Sequence, residues 1–314
     1  MDAVRSSIII CTHNRADMLQ QTLPLVCRQE SPGDKFEVIV IDNASTDRTR
    51  QVVNEVRDTF QFPIKYHFEP KIGLSYARNS GINLVEGEFV IFTDDDAIPQ
   101  PGWLENIIKP FQNSSVMAVG GDVEPVWPDG EPPAWLSAGL QPYLGITRFY
   151  HKEDTDSYYP NLPFGVNIAF RKNAVRKAGG FSCDLGRNGN SLLSGEETEL
   201  CIRLAKAGGK IVYTPGAVVK HIIARTRVSK QWFRKRSDIQ GVSKAVIEFD
   251  GISSGRKSWL LLHRMAILAG STFVFALCSL VGPERTAFQE ECRMRMSWAY
   301  LCKGVKLFAG TGKA

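Results

Sequence analysis

Short apolar runs alternate with helix-forming segments through the first 121 residues of this 314-residue chain. The runs have the length of buried strands, and the segments between them carry apolar residues at helical spacing. Because a helix usually returns the chain between parallel strands, the alternation predicts an α/β domain with a mainly parallel central sheet flanked by helices. The predicted strands are 7–11, 37–41, 64–68, 88–93 and 116–121, and the predicted helices are 17–28, 47–59, 74–84 and 103–112.

Three consecutive aspartates, Asp94, Asp95 and Asp96, follow directly after the fourth predicted strand. Ligands of parallel sheets bind beyond the carboxyl ends of the strands, so the triple stands where a site is expected. Three carboxylates so close together repel one another strongly unless a cation neutralises them. Hard oxygen ligands suit Mg²⁺ or Mn²⁺, which usually arrive with a phosphate-bearing ligand. The triple predicts a divalent metal site, and the alternative is a solvated acidic turn.

Polar residues also follow the first two predicted strands, at 12–15 and 42–47. These segments lie where a nucleotide can rest across the edge of the sheet. The alternative is that they cap the following helices, because Asn14, Ser45 and Asp47 belong to the residue types that accept hydrogen bonds from helix N-termini. The two roles are compatible with one another.

The charge of the chain is unevenly distributed. Residues 200–314 hold 20 Lys and Arg against 6 Asp and Glu, whereas residues 1–199 hold 18 against 27. A basic C-terminal third predicts an anionic partner such as a phosphate or an anionic lipid. Nucleic acid is not expected, because no base-stacking or groove-binding motif accompanies the basic residues.

The seven cysteines include no CxxC pair, which indicates a reducing compartment without a disulfide frame or zinc knuckle. No signal peptide is expected, since the first apolar run, 8–11, is too short for one. We expect the bulk of the protein to face the cytoplasm. Residues 122–165 are rich in Pro, Trp and Tyr, and we expect this long insertion to face an acceptor.

Residues 265–282 are uncharged and mostly apolar, at the lower edge of transmembrane length. Basic residues flank both sides, so a single span would export one basic set against the positive-inside tendency. An interfacial or re-entrant helix is the first interpretation, and a span or a buried packing helix are the alternatives. The predicted division is a catalytic domain at 1–250 and a helical, membrane-associating appendage at 251–314.

Six motifs in a fixed order along residues 5–245 together resemble the inverting family 2 glycosyltransferases, which have the GT-A fold. Each motif alone is weak evidence, whereas the full ordered series is specific. The motifs are CTHNR at 11–15, VIDNASTD at 40–47, GLSYARNSG at 73–81, DDD at 94–96, GEETEL at 195–200, and His221.

The resemblance implies a binding site for a nucleoside-diphosphate sugar donor. It places Thr12, Asn14 and Arg15 along the nucleobase pocket, and it makes Asp42 the acceptor of hydrogen bonds from the base or ribose. Arg78 is expected at the donor phosphates or the acidic cluster, with a surface salt bridge as its alternative.

The aspartate triple corresponds to the DxD motif of that family, which implies Mn²⁺ or Mg²⁺ as cofactor. Asp96 is expected to bind the metal directly, and Asp94 to contact the ribose or a metal-bound water. Asp95 is the third candidate for a donor contact. His221 is expected to complete the metal site, although a histidine at a strand end can also be an ordinary polar residue.

The pair Glu196 and Glu197 matches the acidic pair of the family, whose second member is usually Asp. An inverting transfer needs a base for the acceptor hydroxyl, and Glu197 is the expected base, with Glu196 at the donor sugar or the acceptor hydroxyls. The alternative is that both acids merely stabilise a helix N-terminus. Beyond His221, Arg225 or Arg227 is expected to contact the diphosphate.

The sequence predicts a metal-dependent inverting glycosyltransferase, of the hexosyltransferase type, in cell-surface polysaccharide or glycolipid biosynthesis. It would act at the cytoplasmic face of the inner membrane, as a peripheral or re-entrant protein. The expected partners are a nucleoside-diphosphate sugar, with a UDP-sugar as first candidate, a saccharide or lipid-linked acceptor, and the membrane surface. The alternatives are a nucleotidyltransferase and a non-catalytic membrane scaffold that binds nucleotide sugars. A Rossmann-type dehydrogenase is a third alternative, and the absence of GxGxxG after the first strand argues against it.

Overall fold

A computed structural model describes residues 4–30, 35–60, 63–147, 155–156, 162–187 and 193–310. Nine strands in these ranges form one sheet. They are β1 (Val4–Thr12), β2 (Lys35–Asp42), β3 (Ile64–Phe68), β4 (Phe89–Asp94), β5 (Ala97–Pro99), β6 (Val116–Val126), β7 (Thr155–Asp156), β8 (Asn167–Arg171) and β9 (Lys210–Ile222). The helices are α1 (Ala16–Cys27), α2 (Thr49–Phe60), α3 (Leu74–Leu84), α4 (Trp103–Ile108), α5 (Lys172–Lys177), α6 (Glu196–Lys206), α7 (Lys230–Phe249), α8 (Ser254–Val281) and α9 (Glu284–Phe308). Short 3₁₀ helices cover Lys109–Gln112, Ala138–Leu144 and Arg225–Arg227.

The sheet combines a parallel half with a mixed half. Its order is β3-β2-β1-β4-β8-β6-β9-β5, and β7 pairs with β9 outside this path. β1 is parallel to both β2 and β4, and β3 is parallel to β2. β8 lies antiparallel between β4 and β6, whereas β6 and β9 are parallel to one another. The predicted α/β class is confirmed, and the first half of the sheet is parallel as the alternation predicts.

Helices cover both faces of the parallel half, which explains why its strands are apolar on both faces. Ile8 and Ile10 of β1 belong to an apolar cluster with residues of α1, α2 and α4. Ile9, between them in sequence, belongs to the cluster on the other face with residues of α3 and α6. With both faces filled by apolar side chains, polar groups collect at the strand ends.

The chain departs from the predicted strand pattern around the aspartate triple. β5 is only three residues long and lies where no strand is predicted. β9 is one strand of 13 residues, whereas the sequence predicts a strand at 210–213 and a further short one that reaches His221. The two pair antiparallel, with Ala97 beside His221, and the backbone N–H of Ile222 donates to the carbonyl of Asp96 at 2.8 Å. This long-range pairing brings His221 to the triple.

The insertion at 122–165 lies partly outside the described residues, which omit 148–154 and 157–161. In its described part, the ring of Trp135 packs edge-to-face on Phe233 of α7 and Phe288 of α9, at centroid distances of 5.5 and 5.2 Å. This part of the insertion therefore attaches the catalytic half to the C-terminal helices.

In the C-terminal part of the chain, helix α9 packs against both α7 and α8. The sequence also predicts a basic helix at 229–249, and in the structure this helix is α7. Within the described ranges, α8 is the one helix long and apolar enough to cross a membrane, and only 11% of its most apolar window is buried. The alternative of a buried packing helix is wrong, because side chains such as Phe273 and Leu280 are exposed. The domain division at 250 stays a prediction.

We predict that Gly241 of α7 is required for the close approach of α9. A Cβ at this position would lie 2.1 Å from the carbonyl oxygen of Met296 and 3.0 Å from the Cβ of Ala299, so the two helices must separate. Gly241→Ala should lower the free energy of unfolding by about 1–3 kcal/mol in urea denaturation of the detergent-solubilised protein.

Gly270 of α8 is the matched control, because a Cβ there meets nothing within 4 Å. Gly270→Ala should leave stability unchanged or raise it by about 0.5–1 kcal/mol, through the better helix propensity of alanine. Equal effects of the two substitutions would contradict the assigned packing of α7 on α9.

Candidate functional site

The carboxyl ends of β1 and β4 open into a cavity of about 550 Å³. Its other walls are the N-terminus of α6, the 3₁₀ turn at 225–227 and one side of α7. Opposite charges are concentrated in it, as is typical of a site for a charged ligand at strand ends. The acidic, arginine and histidine side chains that line it are Asp94, Asp95, Asp96, Glu196, Glu197, Arg15, Arg78, Arg187, Arg227, Arg236, His13 and His221.

Asp95 turns toward the start of α1. Its carboxylate accepts hydrogen bonds from Thr12 Oγ1 at 2.7 Å and Arg15 Nη1 at 2.5 Å, and its carbonyl accepts one from Thr22 Oγ1 at 2.7 Å. Burial raises the pKa of Asp95 to about 7, with a further increase from the charge of Asp96 and an opposing effect of Arg15. These bonds give Thr12, Arg15 and Asp95 a structural task, and their predicted contacts with a nucleotide stay predictions.

Asp96 turns the other way, toward β9. Its Oδ1 lies 3.2 Å from Nε2 of His221, and its Oδ2 accepts a hydrogen bond from Arg15 Nη2 at 2.9 Å. Nη1 of Arg227 lies 3.9 Å from the same Oδ2. Burial alone would raise the pKa of Asp96, but His221, Arg15 and Arg227 together lower it below its ordinary value. Asp96 is thus an ionised carboxylate, as a carboxylate that binds a metal must be.

The surroundings of Asp96 and His221 fit a divalent cation. Within the described ranges, Asp96 Oδ1 and both ring nitrogens of His221 are buried without a well-formed hydrogen bond. Such buried polar atoms are uncommon unless a ligand or water uses them, and a carboxylate with an imidazole suits Mn²⁺.

Asp94 is less closely tied to that pair. Its side chain is 38% exposed, and its Oδ1 lies 3.9 Å from Nη2 of Arg78. Among the residues that the structure describes, no group of three or more His, Cys, Asp or Glu side chains is arranged as a complete metal site. The ligand set of Asp96, Asp94 and His221 therefore stays a prediction, and a bound ion would need further oxygen ligands from substrate or water.

Arg78 on α3 connects the aspartates to the acidic pair on α6. Its Nη1 donates a hydrogen bond to Glu196 Oε1 at 2.6 Å and lies 4.0 Å from Glu197 Oε2. Both Arg78 and Glu196 are 3% exposed, so this is a buried ion pair and the alternative of a surface salt bridge for Arg78 is wrong. Burial, followed by repulsion from Glu197, raises the pKa of Glu196 to about 7 against the opposing effect of Arg78.

Glu197, which lines the cavity beside Glu196, is held by weaker contacts than its neighbour. The backbone N–H of Gly165 donates to its Oε1 at 3.4 Å, a long hydrogen bond. Its Oε2 accepts no hydrogen bond from the residues described here. Oε2 of Glu196 is likewise buried without a hydrogen bond from these residues. The two acids at the start of α6 therefore differ in their partners: Glu196 accepts a short hydrogen bond from Arg78, whereas Glu197 accepts a long one from Gly165.

Two residues predicted for the nucleotide, Asn14 and Asp42, are absent from the cavity lining among the described residues. The Asp42 carboxylate accepts hydrogen bonds from the Ser45 backbone N–H at 2.8 Å and the Tyr66 hydroxyl at 2.7 Å. Asn14 Oδ1 accepts one from the backbone N–H of Thr46 at 2.8 Å. These bonds join the loops after β1 and β2, and the nucleotide contacts of Asn14 and Asp42 stay predictions.

The two arginines predicted for the diphosphate point in different directions. Arg225 pairs with Asp129 on the surface, with Nη2 and Oδ1 2.7 Å apart and both side chains more than 60% exposed. Arg227 lines the cavity beside Asp96. The geometry therefore favours Arg227 for contact with a ligand.

The roles of Gly165 and Arg187 in the site are difficult to predict from the sequence. Gly165 is needed because a Cβ there would lie 2.1 Å from Arg78 Nη2. Arg187 lines the cavity from a glycine-rich segment before α6, and only its place ahead of the acidic pair points to it.

Comparison with family models gives two matches. Residues 7–178 match the model described as Glycosyl transferase family 2, and residues 144–308 match the model described as Glycosyl transferase family group 2. The first match spans more than half of the chain.

Two characterised relatives are similar over most of their length. A glucosyl-dolichyl phosphate glucuronosyltransferase of Haloferax volcanii is 27% identical over 255 residues, which are 78% of either chain. The succinoglycan biosynthesis protein ExoM of Rhizobium meliloti is 25% identical over 259 residues, which are 82% of this chain and 80% of that protein.

Among solved structures, the mannosyltransferase PcManGT from Pyrobaculum calidifontis, in complex with GDP-Man and Mn²⁺, has a TM-score of 0.64. It is 21% identical, and the match covers 96% of this chain and 88% of that one. At this identity the similarity establishes the fold alone, and the expected GT-A fold is confirmed.

We predict that loss of Arg78 destabilises the protein strongly, because Glu196 would stay buried without a positive partner. Arg78→Met should lower the free energy of unfolding in urea by about 3–5 kcal/mol, and adding Glu196→Gln should restore part of it.

Arg48 serves as the control, because it forms an exposed ion pair with Asp17. Arg48→Met should change stability little, since solvent screens such pairs. If Arg78→Met lowered the free energy of unfolding as little as Arg48→Met, the buried ion pair of Arg78 and Glu196 would not stabilise the site.

Proposed function

Because the chain belongs to glycosyl transferase family 2 and is therefore a glycosyltransferase, we propose that it transfers a sugar from a nucleoside-diphosphate sugar to an acceptor hydroxyl. The proposed reaction depends on a divalent cation and inverts the anomeric carbon. The observation that supports this most is one cavity with two separate acidic centres: Asp96 with His221, and Glu197 at the start of α6. The first suits a diphosphate and its cation, and the second suits a base for the acceptor.

The donor diphosphate would lie on the side of the cavity formed by Asp96 and Arg227. Asp96 and His221, with Asp94 beside them, would hold Mn²⁺ or Mg²⁺. The bound cation would supply a Lewis acid that stabilises negative charge on the leaving nucleoside diphosphate. Arg227 would add charge-assisted hydrogen bonds to the phosphate oxygens, whereas Arg225 is occupied by Asp129.

Glu197 would act as the base. As the acceptor oxygen attacks the anomeric carbon, its proton would pass to Glu197 Oε2, the oxygen that accepts no hydrogen bond from the described residues. The nucleoside diphosphate would leave from the opposite face of the sugar, which gives inversion. Glu196 would contact the donor sugar or the acceptor while it holds Arg78 in place.

The proposed acceptor is a saccharide or a lipid-linked saccharide, in polysaccharide or glycolipid biosynthesis. Two relatives support this context by their names: a glucosyl-dolichyl phosphate glucuronosyltransferase and a succinoglycan biosynthesis protein. The nucleobase of the donor is proposed to be uracil, so UDP-sugars are the first to test.

The C-terminal helices support a location at a membrane surface. Large apolar side chains are exposed on both α8 and α9, among them Trp259, Phe273, Leu280 and Trp298. Basic residues surround them, as expected of a helix that lies against anionic lipid. We place these helices at the cytoplasmic face of the inner membrane, as a peripheral or re-entrant element.

We predict that Glu197→Gln removes the base and keeps the donor site. Turnover should fall at least about 100-fold, with the affinity for the nucleoside diphosphate unchanged. The measurement is release of nucleoside diphosphate from a panel of nucleotide sugars, with a membrane lipid extract as the source of acceptor.

Glu199 provides the control on the same helix, because its carboxylate pairs with Arg203, 2.5 Å away. Glu199→Gln should retain most of the turnover. Wild-type turnover in Glu197→Gln would rule out this carboxylate as the base.

A further inference from the structure

A second cavity lies among the C-terminal helices. Its volume is about 700 Å³, which is within the range of pockets that hold small ligands. Most of its lining residues lie on α9, between Met294 and Lys306, and the others lie on α7 and α8. Because α9 packs against both of these helices, the cavity is a groove along α9 with α7 and α8 as its walls. We call it the α9 groove.

The length of the α9 groove matches one lipid chain. Its lining residues on α9 recur at helical spacing from Met294 to Lys306, so they form one stripe of that helix. At a rise of 1.5 Å per residue, this stripe is about 18 Å long. One leaflet of a bilayer contributes half of a hydrocarbon core of about 30 Å, which is about 15 Å.

The middle of the α9 groove is apolar. Val242 of α7, Leu268 of α8 and Trp298 of α9 line it, and the side chain of Trp298 is 63% exposed. Exposed apolar side chains of α8, among them Phe273 and Leu277, extend this surface. Contiguous apolar surface of this kind marks a site of contact with a protein or a membrane.

The charges at the two ends of the α9 groove differ. Near its start, Arg295 pairs with Asp238 of α7, with Nη2 and Oδ2 2.5 Å apart, so these two charges balance. At the other end, Lys303 and Lys306 line the groove. Residues 292–314 hold five Lys and Arg and no Asp or Glu. An apolar groove with positive charge at one end is complementary to a lipid with an anionic head group.

The α9 groove and the active-site cavity lie on opposite sides of α7. Asp238 and Val242 line the groove, whereas Arg236 and Gln240 line the active-site cavity. Positions two residues apart on a helix differ in direction by about 200°. Because α7 would separate a lipid in the groove from the reacting groups, such a lipid is a ligand distinct from the acceptor.

Building on the membrane location in the proposed function, we propose that the α9 groove binds one chain of an anionic phospholipid, with the phosphate at Lys303 and Lys306. The chain would remove the apolar lining from water, and charge-assisted hydrogen bonds would hold the phosphate. The bound lipid would contact all three C-terminal helices and hold them at an anionic membrane surface.

Native mass spectrometry of the full-length protein in detergent tests this site. The protein is titrated with phosphatidylglycerol, or with phosphatidylcholine that has the same chains. The wild type should retain one phosphatidylglycerol and should bind phosphatidylcholine at least about tenfold more weakly. Lys303→Gln should remove most of this preference, because the substitution removes a positive charge from the phosphate site.

Cys302→Trp fills the groove from an exposed position of α9, so the variant should fold. It should weaken retention of either lipid at least about tenfold, because the indole takes the place of the chain. Ala266→Trp is its matched control, since Ala266 is exposed on α8 and points about 200° away from Leu268. Arg256→Gln is the control for the loss of one positive charge. Both controls should retain phosphatidylglycerol as the wild type does.

Three results would overturn the lipid site. The first is retention of phosphatidylglycerol at the wild-type level by both Cys302→Trp and Lys303→Gln. The second is equal retention of the two lipids by the wild type, which would contradict the role of the lysines. The third is a dimer that carries no lipid and that Cys302→Trp dissociates, which would assign the groove to a second copy of the chain.

Two further measurements distinguish this proposal from the proposed function. Flotation of the wild type with vesicles of phosphatidylcholine and phosphatidylglycerol tests the membrane location, and a protein that does not float would overturn both the location and the lipid site. If the protein floats while the groove variants retain lipid as the wild type does, the groove alone is refuted. Nucleoside diphosphate binding tests the donor site, and Cys302→Trp should leave it unchanged because α7 separates the two cavities.

Discussion

Neutralisation of the carboxylates at the end of β4 is the constraint on which the site depends. Asp95 and Asp96 are adjacent and only 3% and 1% exposed, and Arg15 bridges them with one nitrogen on each. Ionised carboxylates on adjacent buried residues repel one another, and the charge of Asp96 is one of the causes that raise the pKa of Asp95. Because Arg15 follows β1, the pairing of β1 with β4 that builds the sheet also supplies the charge that keeps the acidic cluster in place.

A second buried ion pair sets the position of the acidic helix relative to that cluster. Arg78 and Glu196 join α3 to α6, and Asn43 holds the loop before α3 by accepting the backbone N–H of Gly73 at 2.8 Å. The N-terminus of α6, with Glu197, is thereby fixed across the cavity from Asp96. α7 closes the remaining side and packs on α9, so the wall of the cavity continues into the helices that expose apolar surface.

The parallel half of the sheet and the role of Asp47 follow from local signals in the sequence. Asp47 accepts a hydrogen bond from the backbone N–H of Thr49 at 3.0 Å and thereby caps α2. It also accepts one from the backbone N–H of Ala16 at 2.9 Å, and the residues around Asp47 in the sequence do not predict this contact. The ordered motifs predicted most of the charged residues that line the cavity, but not their partners, and the predicted Asn14, Asp42 and Arg225 are outside the lining among the described residues. Arg15 bonding both aspartates, Asp42 bonding Tyr66 and His221 lying beside Asp96 all depend on long-range strand pairing. β5 could not be predicted because three residues are too few to show an alternating pattern. The exposure of α8 could not be predicted because it depends on which face of α8 packs against α9.

The central claim is that the aspartate cluster binds the diphosphate of a nucleotide sugar together with a divalent cation. Calorimetric titration of UDP, GDP and TDP into the purified protein, with and without Mn²⁺, tests it most directly. The account predicts that one of them binds, that binding requires the metal, and that Asp96→Ala abolishes it in a protein that remains folded by circular dichroism. Failure of the folded wild-type protein to bind any of the three, or metal-independent binding unaffected by Asp96→Ala, would contradict it.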